Sequence, residues 1–236
     1  LETRRKPVEE PWAGHLTVGL CALAVFVTGL SWTGKSMDPL YLTEDSFFRQ
    51  PWRMLTSVLP HAGLTGAGGS TLGFTHILFN VLMIFQYGRA IEQRIGPALT
   101  GLFYALAAIA SGTAQYALGT GGIGLSGVGY AVFGYLWVAS KRDRAYEDAI
   151  DYRAIVGFIF WFFFCVAATK FKVMPIANIA HFVGAIFGVA VGFLATSKTA
   201  VGRTSWGVAT AALAGGSVLL AAKFHHVINL RDLAGI

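Results

Sequence analysis

Four polar residues interrupt otherwise apolar stretches of this chain at places where they could support acyl transfer: His76, Asn80, Ser126 and His181. A serine hydroxyl is a poor nucleophile until a base takes its proton, and a neutral imidazole is the side chain suited to that task. The attacked carbonyl then develops negative charge. Donors for it would be the backbone N–H of Ser126 near a helix start, the amide of Asn80 and a ring N–H of His76. His76 and Asn80 stand i, i+4 apart and so share one helix face. Tyr130, one turn past Ser126, could hold the imidazole by stacking. With no Asp or Glu at the same depth to orient the ring, the expected arrangement is a Ser126–His181 dyad.

The elements that must carry these groups are membrane helices. Of 236 residues, 55% are hydrophobic and 13% charged, with mean hydropathy +0.59. A soluble surface takes roughly 25% charged residues, so a soluble domain, a disordered tail and a fibre are excluded. The net charge of +6 sits beside the ends of apolar segments and forms no basic stripe with interleaved aromatics, which argues against nucleic acid. Cys21 and Cys165 each lie inside an apolar segment and read as buried thiols. No cofactor or metal is expected; the adjacent His225 and His226 lack further ligands.

Apolar segments near 14–33, 72–88, 97–118, 124–140, 153–169, 176–196 and 205–222 predict seven crossings of ~30 Å of hydrocarbon. Alternate loops carry Arg4, Arg5, Lys6, Arg89, Arg94, Lys141, Arg142, Arg144, Arg153, Lys198 and Arg203. The opposite loops carry Lys35, Arg49, Arg53, Lys170, Lys172, Lys223 and Arg231. That bias puts the N-terminal flank, 1–13, inside as a retained signal anchor, and the tail, 223–236, outside. The long outer loop, 34–71, interleaves aromatics with charges and should rest in the membrane interface.

On this topology His76, Asn80, Ser126 and His181 fall roughly 3–12 Å below the outer ends of three inward-running helices, at 1.5 Å per residue. Singly, each has an ordinary role in a membrane helix, since a serine usually bonds its own backbone and a histidine packs. Their common depth makes a constellation. Two stripes of small residues, Ala177, Gly184, Gly188 and Gly192 beside His181 and Gly127, Ala131 and Gly134 after Ser126, would let the two helices approach closely. Gly121, Gly122 and Gly124 are expected to loosen the start of the fourth span and admit water.

Trp52-Arg53, His76-x-x-x-Asn80, Gly124-Leu125-Ser126-Gly127 with Tyr130-Ala131, and Ala180-His181-x-x-Gly184 together resemble the rhomboid intramembrane serine proteases. The resemblance covers roughly residues 15–196. It implies an all-α, polytopic six-helix core (14–196) around a water-accessible cavity, with Ser126 as nucleophile, His181 as base, and His76 and Asn80 in the oxyanion site. It also implies that Tyr130 supports His181 and that Glu92 and Arg94 fix the inner helix ends. Gly124, Gly127, Gly184, Trp52 and Arg53 have supporting places. Substrates would be transmembrane proteins, cut near the outer face after movement of the fifth span and the Phe171–Pro175 loop. The expected membrane is the plasma (inner) membrane. Two features depart from the pattern: a Gly-rich insertion from Gly63 to Gly73 and the seventh span, 205–222. Competing readings are a rhomboid-like protein that binds membrane clients without cleaving them, and a transporter with the polar groups lining a solute path.

Overall fold

The computed structural model describes residues 14–62, 69–119 and 121–224. The flank 1–13, most of the Gly63–Gly73 insertion, and the tail with His225 and His226 lie outside the described residues. Nine α-helices occur among the described residues: α1 His15–Trp32, α2 Glu44–Arg49, α3 Arg53–Thr56, α4 Gly69–Met83, α5 Arg89–Leu118, α6 Ser126–Arg142, α7 Tyr152–Lys170, α8 Asn178–Thr196 and α9 Ala200–Phe224.

A helical segment lies over each apolar segment predicted from sequence. A wide helical turn, Ile84–Gly88, runs α4 into α5 without a loop. The break falls instead at Gly96, whose φ of 79° and ψ of 165° leave the helical region, with Pro97 next in the chain. Pro97 lacks the N–H that would continue the preceding turn, and its φ suits a first helical position. The segments at 72–88 and 97–118 are therefore distinct rods. Among the described residues five stretches are long and apolar enough to cross a membrane: His15–Trp32, Gly73–Leu118, Tyr152–Lys170, Asn178–Thr196 and Ala200–Lys223. The 17-residue α6 falls short of that length, and from Gly127 to Leu136 every residue is buried by its neighbours.

Helix α6 is the axis of the molecule, and α8 is its closest neighbour. An ideal Cβ placed on Gly184 would collide with the Gly127 carbonyl, one on Gly188 with the Ala131 carbonyl, and one on Gly134 with the Ala185 carbonyl. A Cβ on Gly192 would lie 2.9 Å from the Tyr135 carbonyl oxygen. The two predicted small-residue stripes thus interleave so closely that backbone rests on backbone. In lipid such contact must come from van der Waals packing, because hydrocarbon gives apolar side chains no reason to leave it.

Two polar clamps fix the helix ends remote from Ser126. Gly14 offers α1 no side-chain cap. The buried Glu92 carboxylate supplies one from α5, accepting from the N–H of Leu16 (3.0 Å), the N–H of Thr17 (2.8 Å) and Thr17 Oγ1 (2.6 Å). A carboxylate at a helix N-terminus satisfies orphan donors and opposes the positive end of the dipole. Arg94 donates to the carbonyls of Ala90 and Ala145 and lies over the Tyr146 ring, tying α5 to the loop between α6 and α7. The segment between α1 and α4 is anchored by Phe47, which is buried with Ala117 of α5 and Ala221 of α9, while Phe48 and Trp52 stay exposed.

Helix α7 is the least embedded of the long helices, with Phe160, Trp161, Phe163 and Phe164 exposed along it. Gly184→Ala and Gly188→Ala should each force α6 and α8 apart. The expected loss is about 1–3 kcal/mol, read as a lower thermal midpoint in detergent; an unchanged midpoint would show that the seam can relax.

Candidate active site

Ser126 is the first residue of α6 and half-buried; His181, in the first turn of α8, is 4% exposed. Because the seam starts with Gly127 against Gly184, the side chains at the N-terminal ends of the two helices converge. His181 Nε2 lies 2.8 Å from Ser126 Oγ. A neutral ring that accepts the hydroxyl proton at Nε2 carries its own proton on Nδ1, and Nδ1 has no hydrogen-bond partner among the described residues. The ring is oriented by stacking: its centroid is 4.6 Å from that of Tyr130, with 27° between the planes. Tyr130 is wedged in turn against Phe158 and Phe162 of α7.

The backbone before Ser126 is shaped by Gly124, whose φ of 95° lies in the left-handed region. A Cβ there would stand 3.0 Å from both Cε1 and Nε2 of His76 and 3.1 Å from His61. Gly122 is similarly tight, with Gln115 and Ala177 about 3 Å from where its Cβ would be. The expected loosening role is therefore corrected: Gly122 and Gly124 are close-packing positions, and only Gly121 faces open space. His76 Nδ1 accepts from the Ala62 N–H at 3.3 Å, which leaves Nε2 to carry the ring proton beside Gly124. Asn80 donates from Nδ2 to the His76 carbonyl one turn back, at 2.8 Å, so one of its two amide protons remains for another acceptor. A cavity of about 260 Å³ opens beside the turn leading to Ser126, lined by Tyr41, Leu42, Tyr116 and Ile123 among others. Ser126 and His181 do not line it.

The rhomboid domain model matches residues 49–198, which contain the whole of this cluster. The chain belongs to the rhomboid family. Among its relatives are proteins named rhomboid protease GlpG from Salmonella newport and Salmonella typhimurium, each 30% identical over 203 residues, and from Salmonella paratyphi A at 31%. Those alignments cover 83% of this chain and 66% of each relative.

Within this rhomboid, Trp52 and Arg53 serve the segment between α1 and α4 and do not join the cluster. Arg53 donates to the carbonyls of Asp38 (2.9 Å) and Tyr41 (3.0 Å), and Trp52 is 54% exposed. Gly127 and Gly184 belong to the α6–α8 seam. The residue that sequence reasoning missed is His61. It is 2% exposed, its ring centroid lies 5.0 Å from that of His76, and its Nε2 accepts the N–H of Leu125 at 3.2 Å. With Nε2 accepting, Nδ1 carries the proton, 3.0 Å from the Leu59 carbonyl and 3.2 Å from Thr28 Oγ1. One imidazole thus ties α1, the segment that follows it and the residue before Ser126 together. The available signal was a lone histidine amid apolar neighbours, Leu59-Pro60-His61-Ala62, ahead of the motif histidine.

Burial pushes the His61 imidazole from 6.5 down to about 3; the neighbouring His76 adds to the fall and the Leu59 carbonyl opposes it. Between those two values the unfolded chain binds the proton and the folded chain does not, so the His61 contribution to stability declines as pH falls through that window. His61→Phe leaves the Leu125 N–H buried and unpaired, a loss of about 1–3 kcal/mol. It should lower the thermal midpoint at pH 7 and flatten its acid sensitivity between pH 7 and 4, with His61→Gln less affected. Identical pH dependence in wild type and variant would remove His61 from this role.

Proposed function

We propose that this rhomboid is an intramembrane serine endopeptidase that hydrolyses peptide bonds of transmembrane proteins near the outer membrane face. The observation that carries the reading is the 2.8 Å approach of His181 Nε2 to Ser126 Oγ in a chain of this family. In the proposed reaction Ser126 Oγ attacks the scissile carbonyl as its proton passes to His181 Nε2. The imidazolium then gives that proton to the leaving amine, and water, deprotonated by the same ring, releases the acyl group from Ser126. The backbone N–H of Ser126, the Nε2–H of His76 and the free amide proton of Asn80 are the candidate donors to the oxyanion. Tyr130 substitutes packing for the carboxylate that orients histidine in a triad.

In the proposed topology the N-terminus lies inside, six spans from 14 to 196 form the core, and the seventh, 205–222, packs behind it on α5 and α8. The charge bias between alternate loops supports this orientation in the inner membrane. Access for a transmembrane segment is proposed between α4 and α7. There the Phe79 and Trp161 rings meet with centroids 5.6 Å apart, and α7 is otherwise held mainly by rings against α6 and by Asn178 Nδ2 donating to Thr169 Oγ1 at 2.8 Å.

Purified protein in detergent should react with a fluorophosphonate probe and cleave a model transmembrane substrate; Ser126→Ala should abolish both while keeping the wild-type melting profile. Cleavage by that variant would reject the nucleophile assignment. Folded wild-type protein that neither labels nor cleaves would favour the client-binding reading. Asn80→Ala should reduce kcat by about 10²–10³ with little change in KM, as removal of one oxyanion donor does elsewhere; equal effects on both constants would make Asn80 structural. Trp161→Ala should speed cleavage of a transmembrane substrate several-fold if α7 movement limits access. Slower cleavage with an intact fold would place the substrate path elsewhere.

A further inference from the structure

The end of α6 remote from Ser126 carries a second feature that the proposed reaction does not use. Lys141 and Arg142 form its last turn, about 24 Å along the helix from Ser126 at 1.5 Å per residue. Each cation is drawn over an aromatic face: Lys141 Nζ is 5.2 Å from the centre of the Trp137 ring, and Arg142 Cζ is 5.0 Å from that of Phe193 on α8. Phe193 is backed by Trp206 of α9, stacked at 4.4 Å, and Arg142 Nε donates to Thr196 Oγ1 at 3.0 Å. Between α6 and α8 the Trp137, Lys141, Arg142 and Phe193 side chains border a groove of about 390 Å³, whose remaining lining is Val138 and Val189. Among the described residues neither cation is paired with a carboxylate, and Asp143, next in the chain, accepts from the Ala145 N–H at 2.9 Å.

We propose that this groove binds an anionic phospholipid, with its phosphate held by Lys141 and Arg142 and an acyl chain lying along Val138, Val189 and Phe193. The charge and the shape have to be answered together. An inorganic anion would satisfy the two cations and leave the apolar trough empty, and an acidic peptide would bring backbone polar groups against valines that offer them no partner. A phospholipid has a charged head and an apolar tail in that order, and basic pockets between membrane helices are where such head groups bind. The groove volume lies within the range of small-molecule sites.

The test is native mass spectrometry of the purified full chain released from nonionic detergent, titrated with phosphatidylglycerol or phosphatidylcholine of identical chains. The wild type should retain phosphatidylglycerol at about ten-fold lower concentration than phosphatidylcholine, given two cations at the site. Lys141→Gln should narrow that preference, and adding Arg142→Gln should erase it. Val189→Trp, which fills the trough and keeps both charges, should weaken retention of both lipids. Arg142 also braces Thr196, so the single Lys141→Gln variant, on an exposed side chain, decides the matter if the double variant melts early. Equal retention of the two lipids by wild type would overturn the proposal, as would an undiminished preference in Lys141→Gln. So would full displacement of phosphatidylglycerol by equimolar inorganic phosphate or by a Glu-rich peptide.

Discussion

Backbone contact between α6 and α8 is the constraint on which the rest of this molecule depends. Gly184 against the Gly127 carbonyl and Gly188 against the Ala131 carbonyl leave no room for a side chain at either level. A membrane interior provides no water to drive apolar surfaces together, so two helices hold a fixed spacing only where their surfaces fit at van der Waals distance. The seam begins near the N-terminal ends of both helices, one residue past Ser126 and three past His181. A hydroxyl and an imidazole on neighbouring rods are thereby held at hydrogen-bond distance by glycines that take no part in any chemistry.

Around that seam the polar groups divide into a rigid side and a loose side. On the rigid side, Glu92 caps α1, His61 joins α1 to the Leu125 N–H, and His76 fits against the bare Cα of Gly124. These bonds are few, buried and made largely to backbone, which fixes positions more firmly than contacts between flexible side chains. On the loose side, α7 presents most of its aromatic surface outward and meets its neighbours chiefly through rings. The packing thus divides α1, α5, α6 and α8, joined by backbone and buried polar contacts, from α7, held chiefly by rings.

The apolar segments were legible because a bilayer crossing demands about 20 residues of hydrocarbon-compatible sequence, and each predicted segment has a helix over it. The seam was legible too, since small residues recurring every three or four positions strip one helix face down to its backbone, and a second helix can then rest on it. Gly124 was misread because sequence writes flexible and tightly packed glycines with the same letter. Only the His76 and His61 rings beside it show which kind this is. Arg53 stood out in the sequence only as part of Trp52-Arg53; its partners are the carbonyls of Asp38 and Tyr41, and carbonyls have no signature in a sequence.

Sequence alone determined that this chain lives in a membrane as helices and singled out a serine, two histidines and an asparagine in or beside its apolar segments. It also determined which two helices could touch, because burial in lipid and backbone proximity both select residue types strongly. Tertiary structure decided that His181 faces Ser126, that Tyr130 stacks on the ring, and that His61 reaches a backbone N–H 64 residues away. Those facts depend on the rotation of each helix about its axis and on contacts to main-chain atoms, which every residue possesses and which therefore leave no mark on composition or spacing.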